Sequence, residues 1–296
     1  MATLIAPPPS QKSATIVGLT AIPLWSLTPV LVVILGPLSP FFLMGFRFLI
    51  SGLILSFASI VRGDGFFDQF RIPTGAWILN IIGILVSQNI YIYALLHAPT
   101  AEANFINFLW PIYVVLLSAW VGNDKLHWPH IAGMIMGFMG CGIIMFGDGG
   151  ARWNPDYAIG YGLAILAGLT WAIYQVGMHK FYAKGKNTVQ GAPFLIYALI
   201  CFFIYHQMDG AKIVLSVNQW PILIAFGIIP VAYLLWEHGI KRGYFHFLTV
   251  MSYFIPMLAA LWVLLWNGGG WSASLIVGGG MIVLAPIMAN YRGNAV

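Results

Sequence analysis

Residues 94–120 read ALLHAPTAEANFINFLWPIYVVLLSAW. After Pro99 the stretch carries one charged residue, Glu102, and then runs apolar to Trp120, with Asn104, Asn107 and Pro111 spaced along it. About 20 such residues at 1.5 Å rise cross a hydrocarbon core about 30 Å thick. A peptide group in hydrocarbon finds no water to bond, so the run is a helix rather than a strand. Residues 246–266, HFLTVMSYFIPMLAALWVLLW, repeat its outline. Sliding the chain by 145 residues lays Pro111 on Pro256, Asn107 on Ser252, Phe108 on Tyr253, Leu116 on Leu261 and Gly133 on Gly278. A slide of 146 lays Trp25 on Trp171.

Working outward, apolar runs fall at about 14–35, 41–61, 75–96, 101–121, 128–147, 158–181, 190–208, 219–239, 246–266 and 271–290. Ten spans leave no room for a sizeable soluble domain. The composition agrees: 60% of the 296 residues are apolar and 7% charged, against about 25% charged in soluble proteins. The ten-residue alternation of a membrane barrel is absent from these runs. The expected fold is all-α, ten transmembrane helices in two five-helix repeats, 14–147 and 158–290, joined by a linker at 148–157. Residues 1–13, with Pro7, Pro8 and Pro9, and residues 291–296 are expected to be tails, the first of them disordered.

Lysine and arginine placement sets the orientation. With the N-terminus in the cytoplasm, Lys12, Arg62, Arg71, Lys125, Lys180, Lys184, Lys186, Lys241, Arg242 and Arg292 fall on that side, and Arg152 and Lys212 on the other. This positive-inside bias predicts that both termini are cytoplasmic and the linker external. Five helices per half then insert the two halves in opposite senses, the arrangement of transporters whose site lies at the repeat interface near the midplane. The net charge of +5 is spread between spans and forms no nucleic-acid surface. Cys141 and Cys201 sit inside apolar runs and have no metal or disulfide spacing; neither a metal nor a cofactor is expected.

With these features the chain resembles the EamA branch of the drug/metabolite transporter superfamily. The resemblance rests on the two five-helix halves, on Arg47 within FFLMGFRFLISG, and on the Leu-x-Pro of the fourth span. Within that branch it is similar to the bacterial aromatic amino acid exporters. The resemblance implies an inner-membrane exporter of amino acids, aromatic and other apolar ones, working by alternating access. Two departures stand out. Gly122-Asn123-Asp124-Lys125-Leu126 replaces the frequent Gly-Glu-x-Leu. The first-helix Glu of small multidrug exporters is also missing, which argues against obligatory proton antiport and for facilitated or weakly coupled transport.

Polar residues inside spans are the candidates for solute contact, because leaving them against lipid is costly. Ser87, Gln88, Asn89, Tyr91 and Tyr93 form a polar stretch in the third span, and Asn104, Asn107 and Pro111 share a face of the fourth. Thr249, Ser252 and Pro256 reproduce that face in the ninth. Trp25, Trp110 and Trp171 lie mid-span beside these faces, whereas Trp77, Trp128 and Trp220 lie near helix ends, where an interfacial belt accounts for them. The substrate-contacting set is therefore Trp25, Gln88, Tyr91, Asn107, Trp110, Trp171, Tyr174, Gln175, Ser252 and Tyr253, with Pro111 and Pro256 as hinges. Interhelical packing is the competing role for each.

Arg47, Glu102 and Glu237 stand either as gate residues or as structural ion pairs. Arg47 is placed to pair with Glu102 or to snorkel outward, and Glu237 lies beside His238, Lys241 and Arg242. The partners expected are a small-molecule substrate and the lipid bilayer, with no nucleic acid. Gly133 and Gly137 fit packing within a monomer or a weak dimer. Other classes remain: a proton-coupled multidrug or metabolite exporter, an intramembrane enzyme or a channel. An enzyme would need paired carboxylates, a Ser–His pair or a metal cluster at membrane depth, and the histidines are scattered. No nucleotide-binding Gly-x-x-x-x-Gly-Lys pattern occurs.

Overall fold

The apolar runs fold as helices that differ in one respect, whether they are continuous. A computed structural model describes residues 10–36, 38–122, 128–147, 154–184, 187–208, 213, 215–267 and 272–289. Four helices are unbroken: α2 (Pro40–Val61), α5 (Trp128–Phe146), α6 (Ala158–Tyr182) and α7 (Gly191–Met208). So is α10 (Ala273–Ala289), which carries Pro286. The others are interrupted. α1 runs as Gln11–Leu19, Ala21–Ser26 and Thr28–Leu35, in a sequence holding Pro23 and Pro29. α3 (Thr74–His97) contains a wide π turn at Ile81–Val86. α4 breaks between Thr100–Asn107 and Trp110–Gly122, α8 (Gln219–Arg242) narrows to a 3₁₀ turn at Pro230, and α9 breaks between Phe245–Met251 and Phe254–Asn267. A proline supplies no N–H and clashes with the preceding turn. That accounts for the breaks ahead of Pro111 and Pro256 and at Pro230.

Among the described residues nine helices are long and apolar enough to cross a membrane, and α10 is a shorter apolar one. Among the described residues there is no strand. Helix α1 begins at Gln11, inside the stretch expected to be an N-terminal tail, because the Ser10 side chain caps it at Ser13 N. Residues 1–9, most of the linker, the Asn123–Leu126 motif and residues 291–296 lie outside the described residues.

The helices pack in a pattern that survives exchange of the two halves. α2 packs on α7 and α5 on α10, each on its own counterpart; α3 packs on α6 as α8 does on α1, and α4 on α6 as α9 does on α1. The α2–α7 contact runs antiparallel: Gly45 meets Phe202, Gly52 meets Leu195, and Gly191 meets Ser56. These two counterpart helices therefore point in opposite directions.

Close approach requires glycine at a few positions. A Cβ on Gly140 would lie 2.7 Å from Gly278 O, and one on Gly278 2.6 Å from Gly140 O. Gly133 meets Ala285 O of α10 and Gly137 meets the Tyr253 ring of α9, so both glycines are used within the chain. The outward faces stay apolar, as at Phe57, Leu199 and Ile287, which suits a lipid surround.

The carbonyl facing Gly278 cannot move aside as a side-chain tip can. Gly278→Ala should therefore destabilise the α5–α10 contact by about 1–3 kcal/mol and lower the melting temperature of the detergent-purified protein. Gly162→Ala, with nothing within 4 Å of its Cβ, is the control and should not. Equal melting temperatures for Gly278→Ala and the unsubstituted protein would refute the close-contact account.

Candidate functional site

The broken helices surround a cavity of about 800 Å³. Its middle is bounded by Trp25 of α1, Trp110 of α4, Trp171 of α6 and Tyr233 of α8. One wall is polar, with Ser87, Gln88 and Tyr91 from α3 and Asn104 and Asn107 from α4. The wall from α9 is apolar, with Ile255, Pro256, Ala259, Ala260 and Leu264. The lining reaches Ile144 and Met145 at the end of α5 and Ser272, Ser274 and Leu275 at the start of α10. Among the described residues it includes none from the opposite helix ends, near Tyr182, Gly191 and Arg242. The cavity thus opens on one side only, the side on which Asn154 leads into α6.

The aromatic residues form a layer. Trp25 and Trp171, which the repeat superposes, face each other edge-on at 6.1 Å between ring centroids, and Trp110 meets Trp171 at 6.4 Å and 87°. Tyr233 closes the ring at 5.4 Å from Trp25 and 5.8 Å from Trp171. Beneath lies Trp236, fully buried, at 5.3 Å from Trp25, its indole N–H donating to Gln175 Oε1 at 2.9 Å. Edge-on contacts of this kind suit the ring quadrupole and hold the side chains in fixed orientations.

Below the aromatic layer is a buried polar seal. The Glu237 carboxylate accepts hydrogen bonds from the backbone N–H of Thr188 and of Val189, from the Thr188 hydroxyl at 2.9 Å and from Lys241 Nζ at 3.3 Å. Asn80 Nδ2 donates to Thr188 Oγ1 at 2.9 Å. These bonds tie α3, α8 and the segment before α7 together on the side away from the mouth. A carboxylate this buried persists because every contact is charge-assisted.

The structure brings Trp25, Gln88, Tyr91, Asn107, Trp110 and Trp171 to the cavity, and Pro256 with them. It does not bring Tyr174, Gln175, Ser252 or Tyr253. Tyr174 stacks under Trp171 at 5.2 Å, fully buried, and Gln175 holds Trp236. Both are on the expected helix but below the cavity floor. The turn at Ser252–Tyr253 rotates those two residues away from the cavity: Ser252 Oγ donates to Thr249 O, and the Tyr253 ring packs on Gly137.

Pro111 and Glu102 are not among the lining residues either. Arg47 and Glu102 do not pair: Glu102 accepts from the Tyr161 hydroxyl, and Arg47 lies over the Phe226 ring, 4.8 Å from its centroid. Arg47 lines the cavity instead. Glu237 is an ion-pair residue of the seal. The residues that sequence reasoning misses are Tyr233 and Trp236, whose three-residue spacing beside Glu237 is the available signal. Among the described residues no group of side chains could hold a metal ion.

These features are those of a solute carrier, and comparison places the chain in a family. The profile of the EamA-like transporter family matches residues 12–146 and again residues 158–291; the chain belongs to this family. It is a membrane transporter, not an enzyme, and a multi-pass protein of the inner membrane. Over 278 residues it is 32% identical to the aromatic amino acid exporter YddG of Ancylobacter novellus, spanning 93% of this chain and 96% of that one. The YddG of Escherichia coli is 26% identical over 291 residues, with 93% and 97% spanned. A solved crystal structure, 31% identical, matches with a TM-score of 0.87 over 95% of this chain and 97% of its own.

The aromatic layer yields a direct test. Trp110→Ala and Trp171→Ala should each weaken solute transport by about tenfold, the scale set by removing an aromatic stacking partner worth about 0.5–1.5 kcal/mol plus its buried area. Expression and monodispersity should hold. Unchanged transport kinetics in both variants would show that these rings do not meet the solute.

Proposed function

We propose that this chain exports amino acids, aromatic and other apolar ones, by alternating access. The observation that carries the proposal is the cavity itself. Aromatic rings floor it, its lining combines an amide and hydroxyl wall with an apolar one, and a zwitterion with a flat or apolar side chain suits such a lining. The YddG proteins to which the chain is similar are named for aromatic amino acid export, which supports the substrate class.

On this reading the chain has ten spans in two inverted five-helix repeats, with both termini cytoplasmic. The bias of ten cytoplasmic lysines and arginines against two supports that orientation. The cavity then faces outward, and the Glu237 seal closes the cytoplasmic side. Pro111 and Pro256 act as hinges, each beside a break in a cavity helix. Replacing both by alanine should trap one orientation, read as one-sided labelling of cysteines placed at Asn104 and Leu116. Two-sided labelling with full transport would discard the hinges.

The coupling is weak or absent. No carboxylate among the described residues lines the cavity, and a proton carrier needs a group exposed to each side in turn. Counterflow of phenylalanine, tryptophan and leucine in proteoliposomes should proceed without a pH gradient. Failure to transport any of the three would reject amino acid export. An absolute need for the gradient, lost in Glu102→Gln or Glu237→Gln, would reject uncoupled transport but keep the substrate class.

A further inference from the structure

Among the described residues that line the cavity, one charged side chain stands without a countercharge. Arg47 sits seven residues into α2, counted from Pro40, and is 7% exposed. Its position is fixed from behind. The Ser51 hydroxyl, one turn further along α2, donates to Gly227 O at 2.5 Å, and a Cβ on Gly227 would lie 2.7 Å from Ile50 Cβ. This close contact brings Phe226 under the guanidinium at 4.8 Å.

What the guanidinium then bonds is meagre. Nη1 points at the Met44 thioether at 3.7 Å, and Nε has no partner. A thioether is a weak acceptor, and an arginine carries five N–H donors in a planar fork. Burying such a group costs free energy unless a charge-assisted bond offsets the cost. Glu102, the acidic residue that sequence places nearest, accepts from Tyr161 and does not pair with Arg47. A second donor lies on the same cavity: the Trp25 indole N–H is buried and also lacks a partner. Trp25 packs on the Phe226 cluster as well. The cavity thus offers unfilled donors, one of them fully charged, and no acidic side chain among its described lining.

We propose that Arg47 is the carboxylate-binding residue of the cavity, its fork donating to the solute carboxylate from the mouth side while the side chain of the solute rests on the tryptophan layer. This deepens the transport reading above and rests on it. A planar fork engages a carboxylate through two parallel bonds. Among the described lining the solute ammonium meets no fixed anion and contacts neutral oxygens and ring faces. The site therefore selects for the carboxylate and tolerates loss of the amine. It accepts carboxylate-bearing solutes with an apolar body and rejects the corresponding amines.

The test uses full-length protein purified in detergent and calorimetric titration with two matched series. The aromatic series is phenylalanine, 3-phenylpropionate and phenethylamine; the aliphatic one is leucine, 4-methylpentanoate and isopentylamine. The unsubstituted protein should bind phenylalanine and 3-phenylpropionate within about tenfold of each other and phenethylamine at least about tenfold more weakly. Arg47→Gln should lose that preference, and Arg47→Lys should recover part of it. If Arg47→Gln does not fold, the preference of the unsubstituted protein still decides.

Phenethylamine binding as well as phenylalanine, or an unchanged preference in a folded Arg47→Gln, would overturn the assignment. Should only the aliphatic carboxylates bind, and through Arg47, the aromatic substrate class falls and the role of Arg47 stands. Should aromatic amino acids bind without any dependence on the carboxylate, the substrate class stands and the role of Arg47 falls. Absence of binding in both series would overturn both.

Discussion

In hydrocarbon every backbone N–H and C=O must find its partner inside the chain, and the placement of helix breaks in this protein follows from that constraint. The unbroken helices α2, α5, α7 and α10 pair with their counterparts through close contacts, glycine against backbone in several places. They form a frame that offers lipid no loose peptide group. The interruptions at Thr20, Leu27, Ile81–Val86, Phe108–Leu109, Ile229–Val231 and Ser252–Tyr253 all fall in the helices that wall or floor the cavity. At these places side chains or solvent can satisfy what the helix leaves open. Proline supplies the breaks ahead of Pro111 and Pro256 and at Pro230, and the packing of the frame places them against the interior.

The frame is symmetric to exchange of the halves, whereas the cavity lining is not. α3 and α4 contribute a serine, a tyrosine and three amides; their counterparts α8 and α9 contribute one tyrosine and otherwise apolar groups. Arg47 on α2 faces the cavity without a basic equivalent on α7. One packing scheme used twice therefore holds a site with distinct ends. An amphipathic solute needs such a site, since it must be gripped differently at its polar and apolar parts.

Much of this is legible in the sequence. Spans follow from apolar run length, and the tryptophan pair Trp25 and Trp171 follows from superposing the halves. Depth and twist do not follow. Tyr174 and Gln175 share a helix with Trp171, but periodicity gives a face and not the level at which the cavity ends. Ser252 and Tyr253 would reach the cavity only if α9 kept its helical phase through the break; the turn there changes that phase. Arg47 reads as a structural or snorkelling residue because sequence shows a charge near a helix end and not the absence of an acceptor around it. Tyr233 and Trp236 sit in a span whose end carries an ion pair, and only their three-residue spacing hints that the two rings share a face.

The aromatic floor and the Glu237 seal also bear on the electrical profile of the protein. A solvated cavity reaching the tryptophans carries the potential of the side it opens to, so most of the membrane voltage falls across the protein beneath Trp236. A single charge moved through the whole of that drop exchanges about 2.3 kcal/mol per 100 mV. The Glu237–Lys241 pair inside that layer sums to zero; a net-neutral solute crossing it would sum to zero as well, whereas a carboxylate without its amine would not. The field across that layer thus exerts no net force on the pair, and the resting voltage of the cell gains purchase on the solute only through the solute's own net charge.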